Sequence, residues 1–128
     1  MFQGLNVFKT AYAMATHAGQ RQAIVAENVA NADTPGYKAR DILPFAQVYD
    51  GAASSGMRAS RAGHLNAPAG AANGWQSFAT DTQTDPNGNS VSVELELMKG
   101  AEINSQHNRA LAIYKSSLSI LRTSLGRS

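Results

Sequence analysis

A chain of 128 residues with 43% apolar residues has room for one domain with a modest core and not for two. Eleven lysines and arginines against nine acidic residues give a net charge of +2, scattered so widely that Arg58 and Arg61 are the nearest thing to a cluster; this excludes the dense basic stripe of a nucleic-acid binder. No cysteine is present, which excludes disulfides and thiolate metal sites.

Charged residues make up only 16%, below the roughly 25% of ordinary globular chains. Ala, Ser, Asn, Gln, Thr and Gly fill the difference, and such a surface does little to resist association. The start, Met1-Phe2-Gln3-Gly4-Leu5-Asn6, lacks the basic residues and long apolar run of a secretory signal. No run approaches the roughly 18 apolar residues of a membrane span. The chain is expected to be soluble, not membrane-spanning, and cytosolic or exported by an unconventional route.

Residues 5–32 contain no proline and one glycine, Gly19. Apolar residues fall at Leu5, Phe8, Tyr12, Ala15, Ala26 and Val29, and a second row runs through Ala11, Met14, Ala18, Val25 and Ala32. Two rows make a wide apolar stripe on one helix about 40 Å long. Asp33-Thr34-Pro35-Gly36 ends it: proline cannot continue the hydrogen-bond ladder and its ring pushes the preceding residue out of helical geometry. Pro35 and Gly36 suit the two central positions of a type II turn, with glycine at positive φ. Asn28 and Asn31, three apart near the helix end, are placed to bond the last free carbonyls or the turn behind them.

The middle, residues 37–90, is expected to be irregular. Residues 38–45 read as extended, residues 51–74 as a flexible Gly/Ala/Ser/Asn stretch, and Trp75-Gln76-Ser77-Phe78 as a short strand. Asp85-Pro86-Asn87-Gly88-Asn89 is a strong turn signal. So long a connection orders against a partner or forms a small extension from a hairpin.

The last element is a helix from Val93 to Leu125. Residues 91–97 alternate as a strand would, but Ser92 is a good N-cap, and Glu94 and Glu96 in the first turn suit the helix dipole. Leu111, Tyr114, Leu118, Leu121 and Leu125 form one seam, Ile113 and Ile120 a second, and Gly126 is a natural stop. The expected fold is mainly α: an antiparallel hairpin of long N- and C-terminal helices around a long irregular middle with short extended pieces. Its segments are residues 1–36, 37–90 and 91–128 of one structural domain. Apolar rows unused by the hairpin are left for a partner.

Nothing in the sequence arranges chemistry. His17, His64 and His107 have no companions at metal-ligand spacing. Glu94 and Glu96 point to different helix faces, and Glu27, Asp33 and Asp41 stand apart with no nucleophile pattern. Gly4, Gly51, Gly56 and Gly63 precede no Lys-Ser or Lys-Thr. Trp75 and Phe78 read as anchors of a small β piece. No enzyme activity, cofactor or metal is expected.

One string carries more. Residues 26–40 read Ala-Glu-Asn-Val-Ala-Asn-Ala-Asp-Thr-Pro-Gly-Tyr-Lys-Ala-Arg. It resembles the N-terminal signature of the bacterial flagellar rod and hook proteins, Asn-apolar-Ala-Asn-small-x-Thr/Ser-Pro-Gly-Tyr, carried here by Asn28, Asn31, Asp33, Thr34, Pro35, Gly36 and Tyr37. Gln20-Arg21-Gln22 and His64-Leu65 are similar to proximal rod members of that family. Residues 91–98 resemble its Val-Asp-Leu-Glu-x-Glu-Met pattern, with Ser92 in place of Asp. The short chain also suits the proximal rod better than the distal rod or hook. The resemblance implies a structural subunit exported unfolded through the flagellar type III apparatus to the periplasmic rod of the basal body. Implied partners are the export gate, the adaptor protein between gate and rod, other rod subunits, and like subunits in a helical tube. Packing in that tube is expected to fall to Phe8, Tyr12, Val25, Val29, Leu111, Tyr114, Leu118 and Leu121. A sibling proximal rod subunit, or a cytosolic helical-hairpin adaptor or chaperone, is the alternative.

Overall fold

A computed structural model describes residues 2–52 and 75–126. The elements in chain order are α1 (Phe2–Ala30), β1 (Arg40–Ile42), α2 (Phe45–Ala52), β2 (Ser77–Ala79) and α3 (Val93–Leu125). The fold is mainly α, with α1 and α3 packed along one another as an antiparallel hairpin. The direction follows from pairs along the seam: Phe8 meets Tyr114, Arg21 meets Glu102, and Asn28 meets Glu96.

Both ends of α3 are set by local chemistry. Ser92 is extended, and its hydroxyl accepts from the Leu95 N–H, relieving one of the free donors of the first turn. Glu94 and Glu96 lie in that turn, and at the other end Gly126 donates its N–H to the Arg122 carbonyl. The helix runs unbroken through Gly100. α1 ends at Ala30, and the chain turns through residues 34–37, closed by a 3.3 Å bond from the Tyr37 N–H to the Thr34 carbonyl. Gly36, at φ 76°, supplies the positive φ of a type II turn.

The hairpin buries the second of the two apolar rows of α1. Ala11, Ala18 and Val25 are buried, and Ile103 and Ala110 of α3 are buried as well. The first row is divided: Phe8 is half-buried against Tyr114, whereas Tyr12 is 73% exposed and Val29 is also exposed. On α3, Leu118 and Leu121 are half-buried, whereas Leu111, Tyr114 and Leu125 are exposed. Length explains the last of these. α3 has 33 residues against 29 in α1, and the Phe8–Tyr114 contact brings the start of α1 level with the region of Ile120, so the final turn of α3 runs past its partner.

The middle segment is more ordered at its two ends than its composition suggests. β1 and β2 pair antiparallel with Arg40 opposite Ala79, Asp41 opposite Phe78 and Ile42 opposite Ser77. The extended run expected over residues 38–45 contains β1, and α2, which was not expected, begins at its last residue; the Gln47 and Val48 N–H groups bond to the Pro44 carbonyl, and Phe45, Val48 and Tyr49 share one face. The turn at Asp85-Pro86-Asn87-Gly88 is closed by a 2.8 Å bond from the Gly88 N–H to the Asp85 carbonyl. Residues 53–74, with most of the expected flexible stretch, Arg58, Arg61 and His64, lie outside the described residues.

Candidate functional site

The buried centre of the hairpin's closed end is polar. Asn28 is fully buried with both ends of its amide in use. Its Oδ1 accepts from the Arg40 N–H at 3.0 Å and the Tyr37 hydroxyl at 3.2 Å; its Nδ2 donates to the Arg40 carbonyl at 2.7 Å and to Glu96 at 3.1 Å. One side chain therefore ties α1 to β1, to the Pro-Gly turn and to α3. Asn31 does the local work expected of it, donating to the Glu27 carbonyl at 2.8 Å.

Beside Asn28 lies a charged cluster. Arg21 reaches Asp41 through Nε at 3.0 Å and Nη2 at 3.3 Å, while Nη1 faces Glu102 at 3.6 Å. Lys99 lies 2.9 Å from Glu96 and 3.6 Å from Asp41. Glu96 is 1% exposed, so its role exceeds that of a charge on the helix dipole: it is the α3 anchor of the cluster. Burial would raise the Asp41 carboxyl, but the Arg21 hydrogen bonds, the Ile42 N–H and the charges of Arg21 and Lys99 outweigh it and hold the group below its ordinary value of 3.8. Burial likewise disfavours charge on Arg21, and Asp41 and Glu102 reverse that, so the guanidinium stays protonated.

A depressed carboxyl stabilises the fold fully above its unfolded value and loses that contribution as pH falls through the folded value. Stability should therefore drop as pH is lowered below 3.8. Urea titrations across that range are expected to show an acid limb that Asp41→Asn flattens; an equally steep limb in the variant would place the acid sensitivity elsewhere.

A third polar anchor was not marked by the sequence. Asn89, 1% exposed, donates from Nδ2 to the carbonyls of Asn31, Ala32 and Thr34 at 2.9, 2.9 and 2.7 Å and accepts the Val91 N–H at 2.7 Å. It holds the turn that follows α1 from the segment that leads into α3. The only local signal was its place at the end of a turn sequence.

The signature residues gather around these anchors. The Thr34 hydroxyl donates to Asn31 Oδ1, and the Gly36 N–H donates to the Asn87 carbonyl. Gly88 approaches so closely that a Cβ there would lie 3.2 Å from Gly36 Cα. Tyr37 is half-buried on Asn28, while Asp33 and Pro35 are exposed. Of the expected packing residues, Val25 is buried and Phe8 stacks edge-to-face on Tyr114 at 5.2 Å; Tyr12, Val29, Leu111 and Tyr114 are exposed. Leu97, Met98 and Ile120 are exposed as well, each by two thirds or more of its surface or close to it.

Among the described residues no cluster of His, Asp and Glu is placed to hold a metal ion, and no helix is long and apolar enough to cross a membrane.

The model of the flagella basal body rod protein family matches residues 13–38, the stretch that holds Arg21, Asn28 and the Pro-Gly turn. The flagellar basal body rod protein FlgB of Cereibacter sphaeroides is 31% identical over 105 residues, covering 82% of this chain and 82% of that protein. FlgB of Agrobacterium fabrum is 30% identical over 118 residues, covering 89% and 88%. The chain belongs to the flagella basal body rod protein family. It is a structural subunit of the flagellar basal-body rod, and the hairpin-adaptor reading is not favoured. Within this rod protein, the matched segment contains Asn28, whose side chain locks α1 and the turn to β1 and α3.

Proposed function

We propose that this chain is a proximal rod subunit that works mechanically: it leaves the cell through the flagellar type III apparatus and joins a helical tube in the periplasm. Neighbours are like subunits, other rod proteins, the adaptor between gate and rod, and the export gate itself. The observation that carries the reading is the unpartnered apolar surface on both helices of a rod-family hairpin, from Tyr12 and Val29 on α1 to Leu97, Met98, Ile120 and Leu125 on α3. Contacts between unlike faces do not close on themselves and so build tubes. Burial at about 25 cal/mol per Å² over several neighbours makes a joint stiff enough to pass torque. The reading is non-enzymatic: the buried carboxylates, Asp41 and Glu96, are committed to contacts within the fold.

Electron microscopy of basal bodies from a strain lacking the chain tests this. Rings and export gate without a rod, restored by the intact gene, are expected; normal rods in the deletion would remove the role. Gly36→Val supplies a finer test. At φ 76° a β-branched residue is strained by about 1–3 kcal/mol, so the variant should assemble fewer rods. Wild-type rod numbers from that variant would show that the turn geometry is dispensable for assembly.

A further inference from the structure

We propose that His17 is a pH-operated latch: its neutral imidazole holds α2 and the segment around Trp75 against α1, and protonation releases them. His17 is fully buried although it lies on a long surface helix. Its Nε2 is 2.8 Å from the Leu43 carbonyl. A carbonyl only accepts, so Nε2 carries the proton and Nδ1 is left with a lone pair. That Nδ1 is buried and has no partner among the described residues.

Around the ring stands an aromatic box. Trp75 meets it edge-to-face at 4.8 Å and Phe45 at 5.6 Å, and Phe45 contacts both Tyr49 and Trp75. Among the described residues the remaining ties of this flap to α1 are few. The Tyr49 hydroxyl and Thr10 share a 2.7 Å hydrogen bond, and the Gln20 amide brackets the Trp75 backbone, donating to its carbonyl and accepting its N–H. The imidazole is thus the centre of the flap's attachment, and its second nitrogen is unsatisfied.

A proton on Nδ1 puts a charge into this box on a nitrogen that has no hydrogen-bond partner among the described residues. The surrounding charges do not rescue it. On α1 itself Arg21 opposes the imidazolium; on β1 Asp41 favours it but already holds Arg21 and Lys99. From α3, Lys99 and Glu102 are tied into that same cluster, and the groups facing His17 from α2 and the Trp75 segment are uncharged rings. Burial first, and Arg21 after it, hold the histidine below 6.5 against the opposing pull of the Leu43 hydrogen bond and Asp41. A histidine with a depressed folded value binds its proton more readily once released. The closed flap is therefore fully stable above the unfolded value of 6.5 and weakens as pH falls below it.

The chain has one tryptophan, so Trp75 emission reports this box alone. Emission and far-ultraviolet circular dichroism of the full chain are recorded together from about pH 8 to about pH 4.5, the range in which histidine titrates. A reversible change in Trp75 emission with its midpoint below 6.5, at constant helix signal, is expected. His17→Gln keeps a donor for Leu43 and removes the titration, so its emission should stay at the wild-type high-pH value throughout. His64→Gln and His107→Gln should leave the transition in place. A flat wild-type curve, an unchanged transition in His17→Gln, or loss of helix in step with the emission would overturn the latch. Should His17→Gln fail to fold, proton NMR titration of the His17 ring in the wild-type chain decides: a value at or above 6.5 overturns the proposal.

Discussion

Asn28→Ala is expected to lower the stability of the isolated chain by about 3–5 kcal/mol. The substitution removes four hydrogen bonds at once. It leaves the part-buried Arg40 N–H and carbonyl without their partner and Glu96 with Lys99 alone, and each uncompensated buried group costs about 1–3 kcal/mol. Against a total of roughly 5–15 kcal/mol for a domain, that leaves the variant close to unfolding. Asn28→Asp is the sharper probe. It is nearly isosteric, yet it turns an acceptor toward the Arg40 carbonyl and toward Glu96, and it should be at least as destabilising as alanine. Urea melts followed by far-ultraviolet circular dichroism measure both. A loss under about 1 kcal/mol in the aspartate variant would mean that water or a rearranged Glu96 satisfies the site.

Asn89→Ala is expected to cost about 2–4 kcal/mol, through a different route. Three carbonyls at the end of α1 and in the turn lose their common donor, and the Val91 N–H loses its acceptor just ahead of α3. The damage should be local before it is global. Amide exchange in residues 34–37 and 89–92 should quicken while the α1–α3 seam around Ala18 and Ile103 keeps its protection. Asn89→Asp keeps the acceptor for Val91 but faces three carbonyls with a carboxylate, so it should be worse than alanine. Uniform loss of protection along α1 would show that the end of the helix and its seam unfold as one unit.

These two residues also show where sequence reading stops. The ends of α1 and α3 are written locally, in Pro35-Gly36, Ser92 and Gly126, and local chemistry decided them in the fold. Asn28 belonged to a visible signature, but its partner Glu96 lies 68 residues away and looked like an ordinary first-turn acid. Asn89 sat in a turn sequence and carried no sign that its amide would serve the turn after α1, 55 or more residues earlier. His17 was equally silent, because burial of one histidine depends on α2 and Trp75 arriving over it. α2 itself was within reach: Pro44 stands just ahead of the helix, and Phe45, Val48 and Tyr49 follow a helical spacing. The two apolar rows of α1 were both legible, but which one the hairpin buries was not. That choice was made by Arg21 and Asn28, which share a side with Ala18 and Val25 and needed α3 and β1 to satisfy them.

The polar centre has a further effect, on alignment. Alanine and leucine ridges repeat every turn, so a purely apolar hairpin tolerates sliding by one turn, about 5.4 Å, with little penalty. Here such a slide would part Asn28 from Glu96 and Arg21 from Glu102 together. The cluster acts as an indexing pin between the two helices. In the helical array proposed above, every copy would then show Tyr12, Met98 and Ile120 to the outside at one fixed axial phase. A lattice made by repeating one screw operation requires that sameness, because an error of a single turn in one subunit would be passed to each subunit laid on it.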